Sequence, residues 1–98
     1  MRRVDLLAIL AREADALRRL GVERLYVFGS FSRDEAGSES DVDIFIDPAP
    51  TARFSLFDRM ALAERLDTLL GRRTDVFTRR NLHRSLRSAI EGEAIRVF

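Results

Sequence analysis

Leu6, Leu10, Ala14, Leu17 and Leu20 recur at helical spacing ahead of Gly21. This pattern predicts one amphipathic helix that the glycine stops. Residues 24–28 are aromatic and β-branched enough to predict a strand, which Gly29-Ser30 breaks. Residues 30–36 suit one or two turns of helix capped by Ser30, and residues 37–40 suit a turn. Residues 42–47 predict a second strand, closed by Pro48 and Pro50. Ser55 is placed to cap a long helix, with Asp58 in the capping-box position. Leu56, Met60, Ala63, Leu66 and Leu70 line its apolar side and Gly71 ends it. Residues 74–78 predict a third strand. Leu82, Leu86, Ala89 and Ile90 predict a last helix capped by Asn81, and residues 94–98 an extended tail. The order α-β-α-β-α-β-α implies an α/β (α+β) fold, a small mixed sheet flanked by helices. No repeat, linker or low-complexity stretch interrupts it, so residues 1–98 read as a single domain.

Composition narrows the function classes. With 46% hydrophobic and 34% charged residues in 98, the chain has the balance of a globular domain. Only about 60–65% of the unfolded surface can be buried at this length. The modest core makes a partner or a homo-oligomer a fair expectation. The longest apolar run, Leu6 to Ala11, falls far short of the roughly 20 residues of a membrane span. Arg2 and Arg3 resemble the start of a signal peptide, but Asp5 and Arg12 bracket too short an apolar core. A cytoplasmic location is the resulting expectation.

Cysteine is absent, which excludes disulfides, thiolate zinc sites and cysteine nucleophiles. All 17 basic residues are arginine, which excludes Walker-A lysines and Schiff-base chemistry. The single histidine, His83, cannot form a metal cluster alone. Net charge is +1 with both signs interspersed, so nucleic-acid binding is disfavoured. Arg72, Arg73, Arg79 and Arg80 flank the third strand. They could guide RNA or an acidic partner surface, but a solvated strand end is the favoured reading.

Three carboxylates stand out by position. Asp41 and Asp43 lie two residues apart at the start of the second strand, which puts them on one face about 7 Å apart. Ile44 and Ile46 then face a core on the opposite side. Asp75 sits within the short third strand, where an acid is costly unless something pairs with it. Converging, the three acids make an oxygen-rich site suited to magnesium. An EF-hand is excluded, because Phe45 and Ile46 stand where it needs a further oxygen ligand and a glycine. Gly29-Ser30 falls where a strand gives way to a helical turn, a place where backbone N–H groups receive phosphate. Arg33 is one turn further, with a forked donor for phosphate. Singly, each feature has an ordinary reading: a strand-end aspartate, a turn, a surface arginine.

Together they form one connected arrangement. The stretch YVFGSFSRDEAGSESDVDIFID, residues 26–47, resembles the nucleotidyltransferase superfamily related to DNA polymerase beta, and within it the minimal nucleotidyltransferases (MNT). Gly29, Ser30, Arg33, Ser40, Asp41 and Asp43 match that family's Gly-Ser, arginine and Ser-Asp-x-Asp positions, and Asp75 matches its third acid. Asp34 departs from the pattern, since glycine usually follows the arginine, and this puts nucleotide affinity in question. The resemblance implies a polymerase-beta-like nucleotidyltransferase fold. It implies two Mg2+ ions on Asp41, Asp43 and Asp75, and ATP held through Gly29, Ser30 and Arg33. It further implies an antitoxin that transfers AMP to a hydroxyl of a helical HEPN-type ribonuclease toxin. The alternative is a non-catalytic antitoxin that neutralises its partner by contact; the intact acid set favours the enzyme.

Overall fold

The computed structural model describes residues 1–98 as a four-stranded mixed sheet with helices on both faces. Helix α1 (Arg3–Arg12) and helix α2 (Ala14–Arg19) lead into β1 (Val22–Phe28). Strand β2 (Val42–Pro48) pairs antiparallel with β1. Helix α3 (Leu56–Leu70) then crosses to β3 (Thr74–Thr78), which runs parallel to β2. A 3-10 turn (Arg79–Asn81), helix α4 (Arg87–Glu93) and β4 (Ile95–Arg96) complete the chain. The spatial order is β3-β2-β1-β4, with β4 antiparallel on the outer edge of β1.

One sheet face holds the main core. Val42, Ile44 and Ile46 project from β2 and are fully buried against Leu6, Leu10 and Leu17 of the first two helices and Leu62, Leu66 and Leu70 of α3. Burying a leucine such as Leu66 contributes about 1.5–3 kcal/mol. Ser55 caps α3 as its sequence predicts: the hydroxyl accepts from the Asp58 N–H, and the Asp58 carboxylate accepts from the Ser55 N–H at 2.8 Å. Gly71 ends the helix in the left-handed conformation at φ 67°.

Four local expectations are corrected. The first helix is broken at Glu13 into two, although Leu10 and Leu17 are both buried in the core as their spacing predicts, and Leu20 is left 48% exposed. The buried stripe of α3 is Leu62, Leu66 and Leu70, whereas Leu56 and Met60 point to solvent at 58% and 53% exposure. Residues 29–34 form a succession of turns and residues 35–37 run on irregularly, so no helix forms there. The last helix begins only at Arg87, because the 3-10 turn and the extended Leu82 that closes it occupy the segment expected to start it. Leu82 instead joins Phe28 and Phe45 in a second small cluster on the other sheet face.

Candidate active site

The second face of the sheet is divided. Its middle is aromatic: Tyr26 stacks on Phe45 with centroids 4.6 Å apart, and Phe28 and Phe77 pack around them. At one end of this face, Phe28, Asp43 and Asp75 lie side by side across β1, β2 and β3. Neighbouring strands are about 5 Å apart, so the two carboxylates share a face as immediate neighbours. Asp41 precedes β2 and is exposed, while Asp43 and Asp75 are half-buried. The expected opposition also holds, with Ile44 and Ile46 on the buried face.

Asp43 is the electrostatic centre of this end. Burial pushes its carboxyl up from 3.8 to about 6, and repulsion from Asp75 and Asp41 adds to the shift. Arg33 opposes it, and Glu93 reinforces it. Such a surplus of negative charge is what a bound cation relieves. The donor set, three carboxylates, is of the oxygen type that magnesium takes. The side chains are not gathered into a ready metal-holding trio: Asp75 instead pairs with the Arg73 guanidinium at 3.3 Å.

Gly29 is fixed at this spot by Asp43. Its φ is +74°, and a Cβ there would lie 2.3 Å from Asp43 Oδ2. Any other residue would therefore push the carboxylate aside. Past Gly29 the chain coils through a turn, with the Arg33 N–H donating to the Gly29 carbonyl at 3.2 Å and the Glu35 N–H to the Ser30 carbonyl at 2.8 Å. The buried Ser32 hydroxyl also donates to the Gly29 carbonyl, at 2.8 Å. Asp34 terminates the turn at φ 60°. That left-handed conformation explains why glycine suits the position, and aspartate is among the few other residues that adopt it readily. Ser40 shapes the approach to Asp41: its hydroxyl accepts from the Gly37 N–H at 2.8 Å, and its carbonyl accepts from Arg72 at 2.9 Å.

One residue of this site has no local signal in the sequence. Glu93, at the end of α4, accepts from the Gly29 N–H at 3.1 Å and from the Arg33 guanidinium at 3.0 and 3.2 Å. Gly29 and Arg33 are thus brought together as expected, but around a carboxylate that lies 64 residues away from Gly29 along the chain.

The arginines after β3 are not all solvated. Arg79 bonds both oxygens of Asp47, pairs with Glu91, and lies 5.0 Å from the ring centroids of both Tyr26 and Phe45. It seals the far end of the aromatic face. The larger cavity of the structure, about 720 Å³, opens there, between Arg24, Asp47, Arg79 and the start of α3. Neither of the two cavities is lined by Asp41, Asp43 or Asp75.

The nucleotidyltransferase domain family matches residues 9–97. Protein adenylyltransferase MntA of Thermococcus cleftensis is 34% identical over 91% of this chain and 88% of its own length. A Methanocaldococcus jannaschii protein, provisionally named a protein adenylyltransferase, is 36% identical over 84% of this chain and 86% of its own length. A solved structure provisionally described as a minimal nucleotidyltransferase superposes with a TM-score of 0.81 at 34% identity, covering 97% of this chain and 95% of that one. The fold also recurs in the complex of a tri-AMPylated Shewanella oneidensis HEPN toxin with MNT antitoxin. There the TM-score is 0.60 at 21% identity, over 86% of this chain and 67% of that one. No helix is long and apolar enough to cross a membrane.

Proposed function

The chain belongs to the nucleotidyltransferase domain family, and from that premise we propose that it transfers AMP from ATP to a hydroxyl on a HEPN-type partner protein, silencing it as an antitoxin. The observation that carries the reading is the row of Asp43 beside Asp75, with Gly29 pressed against the Asp43 carboxylate. Metal, triphosphate and acceptor sites then meet at one end of one sheet face. The protein adenylyltransferase names of its relatives support AMP as the transferred group. The HEPN complex of a protein sharing the fold supports the class of partner.

Asp41, Asp43 and Asp75 would hold two magnesium ions, which neutralise the triphosphate and stabilise charge on the entering and leaving oxygens. The chain's own residues do the positioning. The N–H groups of Gly29 and Ser30 and the Arg33 fork receive the outgoing phosphates. The acceptor hydroxyl oxygen attacks the α-phosphorus of ATP, and the bond from that phosphorus to the bridging β-phosphate oxygen breaks. Pyrophosphate leaves, and the hydroxyl proton passes to the Asp75 carboxylate and on to solvent. No cavity of the chain encloses the three carboxylates, so most of the acceptor's enclosure comes from the partner.

The test is to incubate the protein and a HEPN-type partner protein with ATP labelled at the α- or the γ-phosphate. The partner should gain α-label and no γ-label, and Asp43→Asn should abolish the gain. γ-Label on the partner would mean phosphoryl transfer and overturn the proposal.

A further inference from the structure

Glu93 occupies the groups assigned to phosphate. Its carboxylate takes the Gly29 N–H and, through both oxygens, one nitrogen of the Arg33 guanidinium. These are a backbone donor at a strand end and a charged donor one turn on, the pair a phosphate would use. A carboxylate presents the same kind of acceptor oxygens and the same sign of charge. It also stands near Asp43 and adds to the negative field there. A triphosphate and the Glu93 carboxylate therefore cannot share Gly29 N–H at once.

The surroundings let the side chain leave without unfolding its helix. Its side chain is 28% exposed, which opens a path to solvent. The helix behind it is held independently. Ile90 and Ala94 pack on the Phe28–Phe45–Leu82 cluster, Glu91 pairs with Arg79, and Ile95 pairs with Val27 across the sheet edge. None of those contacts needs the Glu93 carboxylate.

We propose that Glu93 is a built-in occupant of the triphosphate cradle: it holds Gly29 and Arg33 in place until an incoming triphosphate displaces it. This rests on the reading of Gly29 and Arg33 as phosphate donors. The cradle stays organised when no nucleotide is bound, with Arg33 shared between Glu93 on one terminal nitrogen and Glu35 on Nε at 3.1 Å. The consequence is weaker nucleotide binding than the same donors would give unopposed.

The experiment is titration calorimetry with ATP and magnesium on the full chain, comparing wild type, Glu93→Gln, Glu93→Ala and Glu91→Gln. Both Glu93 variants should bind ATP about three- to tenfold more tightly, the scale of a partly exposed charged hydrogen bond. Inorganic tripolyphosphate should tighten in the same way, because the competition is for phosphate. Glu91→Gln removes equal charge from the same helix away from the cradle and should leave affinity at the wild-type value. Wild-type or weaker binding by the Glu93 variants overturns the proposal while leaving the nucleotidyltransferase reading intact. Equal tightening in Glu91→Gln reduces the effect to general charge and also overturns it. No ATP binding by any of the four proteins would overturn the phosphate-site reading itself. Should Glu93→Ala fail to fold, the isosteric Glu93→Gln alone decides.

Discussion

Replacing Asp43 by asparagine should abolish catalysis and stabilise the metal-free protein. The Asp43 carboxyl is moved from 3.8 to about 6, by burial first and by Asp75 and Asp41 next. That difference corresponds to at most about 3 kcal/mol of unfavourable charging at neutral pH. Asp43 keeps partial contact with water, and solvent screening reduces the figure to about 1–2 kcal/mol. Asparagine is nearly isosteric and carries no charge, and the native carboxylate has no hydrogen bond to lose. For a domain of this size, 1 kcal/mol is about 4–8 °C in Tm, so Asp43→Asn should melt roughly 4–16 °C higher at pH 8 without divalent ions. The sign of the pH dependence follows from the raised value. Below 3.8 both folded and unfolded chains hold the proton, and there is no penalty. As pH climbs from 3.8 through about 6 the unfolded chain ionises first, and the wild type loses stability. The gap between mutant and wild type should therefore open across this window and stay constant above it. Thermal melts by circular dichroism across the window provide the assay. A mutant that melts at or below the wild type at pH 8, or a gap that does not shrink on acidification, would refute the reasoning.

Gly29→Ala puts a methyl 2.3 Å from Asp43 Oδ2 at a φ of +74°; AMP transfer in the labelling assay should fall at least about a hundredfold, as expected for misplacement at a reacting centre, and unchanged activity would contradict the close-approach argument. At Asp34, φ 60° makes Asp34→Val about 1–2 kcal/mol less stable than Asp34→Gly, and equal Tm values for the two would remove the conformational explanation. Ser55→Ala breaks the capping box of α3 and should cost about 1 kcal/mol in urea denaturation; no loss would show the cap to be dispensable.

The legible parts of the fold were those with short-range signals. The third strand lies at the residues its β-branched pattern marks, because a strand flanked by Arg73 and Arg79 has no competing period. The Ser55–Asp58 cap and Gly71 stop were legible for the same reason. Asp41, Asp43 and Asp75 come to one sheet end because Asp43 and Asp75 are register partners, a fact the strand boundaries nearly imply. What escaped was decided at a distance. Phe45 looks like an outward residue beside Asp43, yet it is 1% exposed, because Leu82 and the helix after it fold back over the middle of that face. Arg79 looks like a solvated strand end until Asp47, 32 residues away, is seen to accept from it. Glu93 gives no sign in its own neighbourhood of reaching Gly29. The segment after Gly29 reads as helix because Ser30 is a good cap and nothing up to Ala36 breaks a helix, yet the single helical hydrogen bond from Arg33 N–H to the Gly29 carbonyl is not continued past the left-handed Asp34.

Catalysis on a partner protein leaves a covalent mark that intact mass spectrometry of that partner reads out. A HEPN-type ribonuclease is co-expressed with the wild-type chain or with Asp43→Asn, and its ribonuclease activity is measured alongside its mass. Partner made with the wild type should be silenced and carry one or more added adenylyl groups, and partner made with Asp43→Asn should be unmodified and active. Silencing without added mass, equally strong with Asp43→Asn, would contradict catalysis on the partner and leave neutralisation by contact in its place.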